Sequence, residues 1–413
     1  MQHLTACRIC GAGALTSVVD FGEMAQGGLF PPVGTEAPRL PLHAVQCQTC
    51  GLVQLGHRLD PAMLYGDHYG YRSGLNVSMV EHLSDLVRLE VPKWVGDVGP
   101  TYSVLDIGSS DGTLLGYYPP TARRVGIDPS LETLRRFYQP GIEAYGGFFG
   151  SVPLTGKFDV ITSIAMFYDL DDPVSFAAQV RDLLKITGVW ILEQGYWPTL
   201  AQAGIYDVIC HEHLEYYSLR DMVRIMDQVG LVIRDVTFNA VNGGSFRLVV
   251  SRTGGPTFDP TEILAQEATV DLSDFQARVT AHGLAARARL EALRDEGLTV
   301  YGYGASTKGN TVLQHAQIGP DLLPYIVEVS EAKRGCWTPG THIPIVLHAP
   351  EPDAYLVLPW HFRESIMRRE AAYLHRGGRL LFLLPELDLV TQETRTERGV
   401  ELVDAMRTCG GSP

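Results

Sequence analysis

Four of the cysteines fall into two C-x-x-C turns, Cys7/Cys10 in "CRICGAG" and Cys47/Cys50 in "CQTCGLV". Each such turn presents two thiolates, and tetrahedral zinc takes four, so the pattern folds the N-terminal segment around one ion. The gap between the pairs is longer than in an ordinary zinc ribbon, and two redox pairs are the alternative. Zinc held by Cys7, Cys10, Cys47 and Cys50 is structural, because no coordination position stays open for chemistry. Pro, Gly and polar residues break up "GEMAQGGLFPPVGTEAPRLP". Short strands and turns are therefore expected, with the metal replacing the core that so small a segment lacks. Cys210, Cys336 and Cys409 stand alone.

With 413 residues the chain is too long for one core, and roughly two or three domains are expected. Its formal net charge of −14 weighs against nucleic acid or an anionic membrane as partner. No apolar run is long enough to read as a transmembrane helix. The start, "MQHLTACRICGAG", lacks the pattern of a signal peptide, so a cytoplasmic location is expected, where disulfides are rare.

Beyond the metal segment, "SGLNVSMVEHLSDLVRLEV" has apolar residues at three- and four-residue steps and reads as helix. "YSVLDIGSSDGTLLGYY" then gives an apolar strand, a Gly/Ser turn and a helix start. "RRVGIDPS", "KFDVITSIAMFYDLDD" and "TGVWILEQ" supply further strands. Strands alternating with helices predict an α/β unit with a mostly parallel sheet, whose ligand lies over the carboxyl ends of the strands. A Pro/Gly-rich joint at 251–260 and a long helix over roughly 261–297 precede "LTVYGYGASTKGNTVLQ", which repeats the strand–turn–helix scheme. "PYIVEVS", "AYLVLPW" and "RLLFLLPE" complete a second α/β unit. The expected domains are 1–75, 76–255 and 256–413.

The first glycine turn lacks G-x-G-x-x-G, which disfavours NAD there, and carries no lysine to hold phosphates. Asp106 ends one strand and Asp128 the next, where a ribose receives hydrogen bonds in such sheets. A nucleoside ligand with a positive centre and no phosphate fits these acids, which points to S-adenosylmethionine. Gly108 and Gly112 let the backbone approach it closely.

"YDVICHEHLEYYS" raises a separate question, with His211, Glu212, His213 and Glu215 in five positions. A zinc-protease helix needs two histidines four apart; these are two apart and would point about 200° from each other on a helix. The protease motif is excluded.

Taken together, the paired C-x-x-C turns, residues 102–130, "EQGYW", the HEH segment, "NGGSFRLVVSR" and "YGYGASTKGN" resemble the nucleotide-sugar C-methyltransferases over nearly the whole chain. The resemblance implies a small zinc-binding N-terminal domain, a Rossmann-like class I methyltransferase domain and a second Rossmann-like C-terminal domain. It also implies S-adenosylmethionine-dependent methylation, at C-3, of the carbon alpha to the ketone of a nucleotide-diphosphate 4-keto-sugar. That chemistry suits one positioned base with a pKa near neutrality, which histidine supplies. His213 is the expected base, with Glu212 beside it to orient the ring and support its charged form.

The family often has Tyr where Cys210 stands, so Tyr217 or Tyr71 is expected to supply a hydroxyl to the enolate. Cofactor contacts are expected from Asp106, Gly108, Ser109, Ser110, Asp111 and Asp128, with Ser73 and Phe148. Substrate contacts are expected from Tyr168, Asn242, Gly304, Ser306, Lys308 and Asn310, the last four in the C-terminal turn taken as the nucleotide-sugar anchor. An NAD(P)-dependent nucleotide-sugar oxidoreductase using that turn, and an interaction scaffold built on the zinc module, are the competing readings. Nucleotide, sugar, stereochemistry and oligomeric state stay open.

Overall fold

The computed structural model describes residues 2–65, 72–96 and 101–394, and its contacts divide the chain into two compact units. The first comprises residues 1–22, 41–203 and 211–276; the second comprises 23–40, 204–210 and 277–413.

In the first unit a seven-stranded sheet runs in the order Val232–Asn239, Ser245–Ser251, Leu184–Gly195, Phe158–Ile164, Ser103–Ile107, Arg123–Asp128, Ile142–Gly146. The last five in that order are parallel, and Ser245–Ser251 is antiparallel to both its neighbours. Every residue of Ser103–Ile107 is buried, as a near-continuous apolar run covered on both faces requires. Its alternation divides two cores. Leu105 and Ile107 face a core shared with Trp190, Phe167 and the helices Pro173–Leu183 and Leu219–Val229. Val104 faces Val160, Ile191 and the helical run Val77–Val95. Chain order reverses between Ser103–Ile107 and Phe158–Ile164, the switch point where such sheets bind ligands.

Expected and observed elements differ at several places, and the helix expected after the first glycine turn is only the 3-10 turn Leu115–Tyr117. Ile142–Gly146 is a strand that the pattern hides, because an edge strand of half-exposed residues shows no apolar run. The long helix expected over 261–297 is two, Thr261–Glu267 and Phe275–Asp295. Between them Asp271 accepts hydrogen bonds from the Ser273 N–H and hydroxyl, both at 2.9 Å, a local turn that competes with helix.

The metal segment forms a four-stranded sheet in the order Glu215–Tyr216, Val53–Leu55, Arg39–Cys47, Leu15–Ala25. Its outermost strand comes from the HEH segment. Glu215 lies opposite Gln54 and Tyr216 opposite Val53 in antiparallel register. Cys7, Ile9, Cys47, Cys50 and Leu52 join the same apolar core as Leu105 and Trp190.

A second parallel sheet organises the other unit, in the order Ile345–Val346, Ile326–Val327, Val300–Tyr303, Ala354–Val357, Arg379–Phe382, with Asp388–Val390 added antiparallel. Helix Thr307–His315 follows its glycine turn. The excursion Glu23–Leu40 belongs to this unit, where Gln314 exchanges hydrogen bonds with the backbone of Ala25 at 2.8 and 3.0 Å. Among the described residues no helix is long and apolar enough to cross a membrane.

Helix Leu219–Val229 buries Leu219, Met222, Ile225, Met226 and Val229 at helical spacing, and Gly230 ends it at φ 68°. A capping box starts it: the Asp221 N–H donates to the Ser218 hydroxyl, while the Asp221 carboxylate accepts from Ser218 N–H. Ser218→Ala should therefore lower stability by about 1 kcal/mol, read from the urea midpoint, with the denaturant slope unchanged.

Candidate active site

The four sulfurs of Cys7, Cys10, Cys47 and Cys50 lie within 4.8 Å of one another. Cys7 and Cys50 sulfurs are 3.5 Å apart, as are those of Cys10 and Cys47. That is far beyond the roughly 2.05 Å of a disulfide and close to the edge of a zinc–thiolate tetrahedron with bonds of about 2.3 Å. The knuckles are closed by Gly11 N–H to Cys7 O at 2.9 Å and Gly51 N–H to Cys47 O at 2.8 Å. Contact with the Cys50 sulfur lowers Cys7 to about 5, and the same contact raises Cys50. The donor set fits structural zinc.

At the switch point, Gly108 and Gly112 adopt φ of 75° and 74°. A Cβ at Gly108 would meet Met166 at 3.0 Å, and one at Gly112 would meet the Tyr138 ring at 2.9 Å, so neither tolerates a side chain. Asp128, at the end of Arg123–Asp128, accepts from Ser110 N–H at 2.7 Å and from Ser130 N–H at 2.8 Å. Burial holds its carboxyl above the usual range. The bonds leave lone-pair positions for ribose hydroxyls, and residues 106–112 carry no cation for a phosphate. This cradle fits S-adenosylmethionine.

The remaining expected cofactor residues surround the turn. Asp106 is buried and accepts from the Thr162 hydroxyl at 2.6 Å. Ser109 bonds the Tyr138 hydroxyl at 2.7 Å. Asp111 accepts from Arg72 Nε at 3.2 Å and Gly74 N–H at 3.1 Å, while Ser73 N–H reaches Ser110 Oγ at 3.4 Å. Phe148 stays exposed.

Turn residues His211–Leu214 precede the short strand Glu215–Tyr216. His211 and Glu212 are buried, whereas His213 is half-buried, so the second histidine is the one with an open face. The Tyr168 ring packs on the His213 ring at 4.2 Å between centroids. Tyr216 hydroxyl donates to His213 O at 3.0 Å, and Tyr168 O accepts from Leu214 N–H at 2.7 Å. Tyr217 is buried against Phe167, with ring centroids 5.4 Å apart. Burial first, and then Glu215, push its hydroxyl pKa far up. Tyr71 lies outside the described residues. Asn242, at φ 56°, is half-buried at the turn before Ser245–Ser251.

Three residues that the sequence reading passes over join this site. Tyr65 hydroxyl donates to Glu212 O at 2.9 Å. Asp169 stands near Glu212, its carboxyl pushed well above the usual range by burial, with Tyr65 opposing and Glu212 adding to the shift. A carboxyl held in its acid form is a hydrogen-bond donor. Arg8, between the first two cysteines, faces Glu215 Oε1 at 3.3 Å. Isolated Asp, Tyr and Arg carry no motif, so only their convergence identifies them.

A fourth cluster lies at the carboxyl end of Leu184–Gly195. Glu193 takes His82 Nε2 at 2.5 Å, Arg247 Nε at 2.8 Å and Asn239 Nδ2 at 3.1 Å. Burial raises this carboxyl, but His82 and Arg247 outweigh it and hold it below the usual range.

In the second unit Gly304 has φ 76°, and Ser306 caps its helix by accepting from Gly309 N–H at 3.0 Å. Asn310 is buried, and its amide nitrogen donates to Gly27 O at 2.7 Å. Burial depresses the half-buried Lys308 ammonium, while Asp207 and Cys210 support its charge. Asp207, fully buried, accepts from Trp360 Nε1 at 2.7 Å. The sequence reading gives Lys308 to a diphosphate without noticing this counter-ion.

Comparison with known proteins agrees with the geometry. Residues 7–65 match the family model described as "Putative zinc binding domain", 75–236 a methyltransferase domain, and 240–385 a C-methyltransferase C-terminal domain. C-methyltransferase NovU of Streptomyces niveus is 28% identical over 423 residues, covering 95% of this chain and 99% of its own. Among solved structures, an S-adenosylmethionine-dependent methyltransferase from Clostridium acetobutylicum is 17% identical, with a TM-score of 0.32, over 43% of this chain and 99% of its own. The S-adenosylhomocysteine-bound methyltransferase CalO1 of calicheamicin biosynthesis is 16% identical, with a TM-score of 0.34, over 44% of this chain and 56% of its own.

Burial drives Asp106 up to about 7, against the opposing bond from Thr162. Between about pH 4 and 7 the folded chain keeps a proton that the unfolded chain has released, so this group lowers stability as pH rises through that window. Asp106→Asn should therefore gain stability relative to wild type on going from about pH 5 to about pH 8. Urea midpoints at both values check the sign; an unchanged difference between the two proteins would contradict it.

Proposed function

We propose, for a chain that belongs to the C-methyltransferases with a zinc-binding domain ahead of the methyltransferase domain, that it methylates C-3, alpha to the ketone, of a nucleotide-diphosphate 4-keto-sugar. One observation carries this reading. A short run of contacts leads from the cofactor cradle to a half-open imidazole: Gly108 abuts Met166, and Tyr168, two residues on, packs on His213. A base next to a methyl donor is what alkylation of an acidic C–H requires.

S-adenosylmethionine supplies, when bound, an electrophilic methyl group. Asp128 holds the ribose hydroxyls, and the Gly108–Gly112 turn allows close approach. His213 takes the proton from the carbon beside the ketone, and the C–H electron pair becomes the enolate that forms the new carbon–carbon bond. Tyr168 restricts the His213 ring by packing on it, and Tyr216 fixes the backbone beneath it. Buried Glu212 supports the imidazolium that results. In this reading a tyrosine hydroxyl, that of Tyr71 or Tyr217, serves the enolate oxygen.

The nucleotide diphosphate is assigned to the turn with Gly304, Ser306 and Lys308, where a helix N-terminus and an ammonium face an anion. Asp207 supports the charge of Lys308 against the burial that depresses it. Tyr168 and Asn242 are the proposed contacts to the sugar.

A mass-spectrometric screen of nucleotide 4-keto-sugars should find one that gains the mass of a methylene unit in a cofactor-dependent way. On that substrate His213→Asn should lower turnover by roughly 10²–10⁴-fold, with cofactor affinity nearly unchanged, and Glu212→Gln should cost less. Wild-type turnover in His213→Asn would remove this residue as base.

A further inference from the structure

Arg8 stands between the first two metal ligands, yet its side chain is 2% exposed and points away from solvent. Its backbone N–H donates to Gln54 Oε1 at 3.0 Å, Nη1 to Leu55 O at 2.8 Å and Nη2 to His57 O at 2.9 Å. Its Nε faces Glu215 Oε1 at 3.3 Å and Asp171 Oδ1 at 3.6 Å, and Arg58 pairs with the other oxygen of Asp171. Leu55 completes the connection, because its own N–H donates to Leu214 O at 2.8 Å. One residue thus binds the metal knuckle through its carbonyl and the segment carrying His213 through its amide.

Residues 211–214 form no helix or strand of their own. A segment of that kind has little local stability unless outside groups hold its backbone. Four attachments come from the metal module: the Leu55 amide, the strand register of Gln54 and Val53 with Glu215 and Tyr216, the Tyr65 hydroxyl on Glu212 O, and the Arg8–Glu215 pair. A buried ion pair is by itself weak evidence for stability, since an apolar pair of equal volume does as well. Its distinctive contribution is direction: Leu55 O and His57 O hold the two Nη atoms, which sets Nε 3.3 Å from Glu215 Oε1.

We propose that Arg8 is a positioning residue, through which the metal knuckle sets the placement of residues 211–216. Loss of the metal then releases the His213 segment before it disturbs the cofactor turn. The inference rests on the reading of His213 as base, because only then does the placement of this segment govern turnover.

The test uses the full zinc-loaded chain. Arg8→Gln leaves all four cysteines in place and should keep one zinc per chain and the thermal shift given by S-adenosylhomocysteine. Amide hydrogen exchange should accelerate at least tenfold in the peptide spanning 211–217 and stay constant in the peptide spanning 103–112. With the keto-sugar that wild type methylates, kcat should fall by roughly 10–10²-fold, the scale of a misplaced catalytic group, with KM little changed. Arg8→Gln combined with Glu215→Gln, which leaves no unpaired buried charge, should recover part of both losses. Removing the metal from wild type with a chelator should speed exchange in 211–217 ahead of 103–112, which gives a second readout should Arg8→Gln fold poorly.

Unchanged exchange in 211–217 in both the variant and the chelated protein overturns the inference. Loss of cofactor binding in parallel with that exchange does so too, since it indicates general unfolding. Faster exchange with undiminished kcat overturns it as well, and His213→Asn then locates the fault. If that variant is also fully active, the base assignment has failed; if it is inactive, the positioning role alone has failed.

Discussion

The pairing of Glu215–Tyr216 with Val53–Leu55 is the constraint on which the first unit depends. Without it the N-terminal sheet would lose the strand that the HEH turn leads into, and with it the register that ties that turn to Val53 and Gln54. With it, a segment remote in sequence becomes the outermost strand of the metal-centred sheet. Shared apolar packing reinforces the pairing, because Cys7, Cys47 and Leu52 lie in the same core as Leu105 and Trp190. The metal module is therefore part of the scaffold that carries the candidate base.

Buried charge is handled differently at three points of this scaffold. Arg8 and Glu215 are fixed by direct pairing and by carbonyls. Glu193 is satisfied by His82, Arg247 and Asn239 and stays below the usual carboxylate range. Asp106 and Asp169 move the other way, because desolvation outweighs their single hydroxyl partners, and burial pushes Glu215 up as well despite Arg8. Carboxyls raised by burial thus flank the cofactor turn and the HEH segment, while Glu193 is held low by His82 and Arg247.

Much of this was legible in the sequence, for identifiable reasons. Paired C-x-x-C turns specify their own convergence, and the largely apolar run at 103–107, followed by a glycine turn, marks a strand covered on both faces. Asp106 could be placed because a glycine turn marks the end of its strand, and Asp128 because the next apolar run stops at Pro129 and Ser130. The strand at 142–146 was hidden, since an edge strand needs no continuous apolar pattern. The break in the helix after Glu267 turned on the Asp271 side chain bonding to Ser273, a choice between turn and helix that periodicity does not register. Arg8, Tyr65, Asp169 and Asp207 were out of reach for another reason: each is an unremarkable residue until long-range pairing brings it beside the HEH turn or Lys308.

The central claim is that His213 removes the proton alpha to a ketone next to the methyl donor. Solvent deuterium wash-in tests it most directly. With S-adenosylhomocysteine in the cofactor site, no methyl group is available, and deprotonation becomes reversible. The account predicts that the wild type exchanges the C-3 hydrogen of its keto-sugar for deuterium without methylating it, and that His213→Asn does so far more slowly. Equal exchange rates in the two proteins would contradict it.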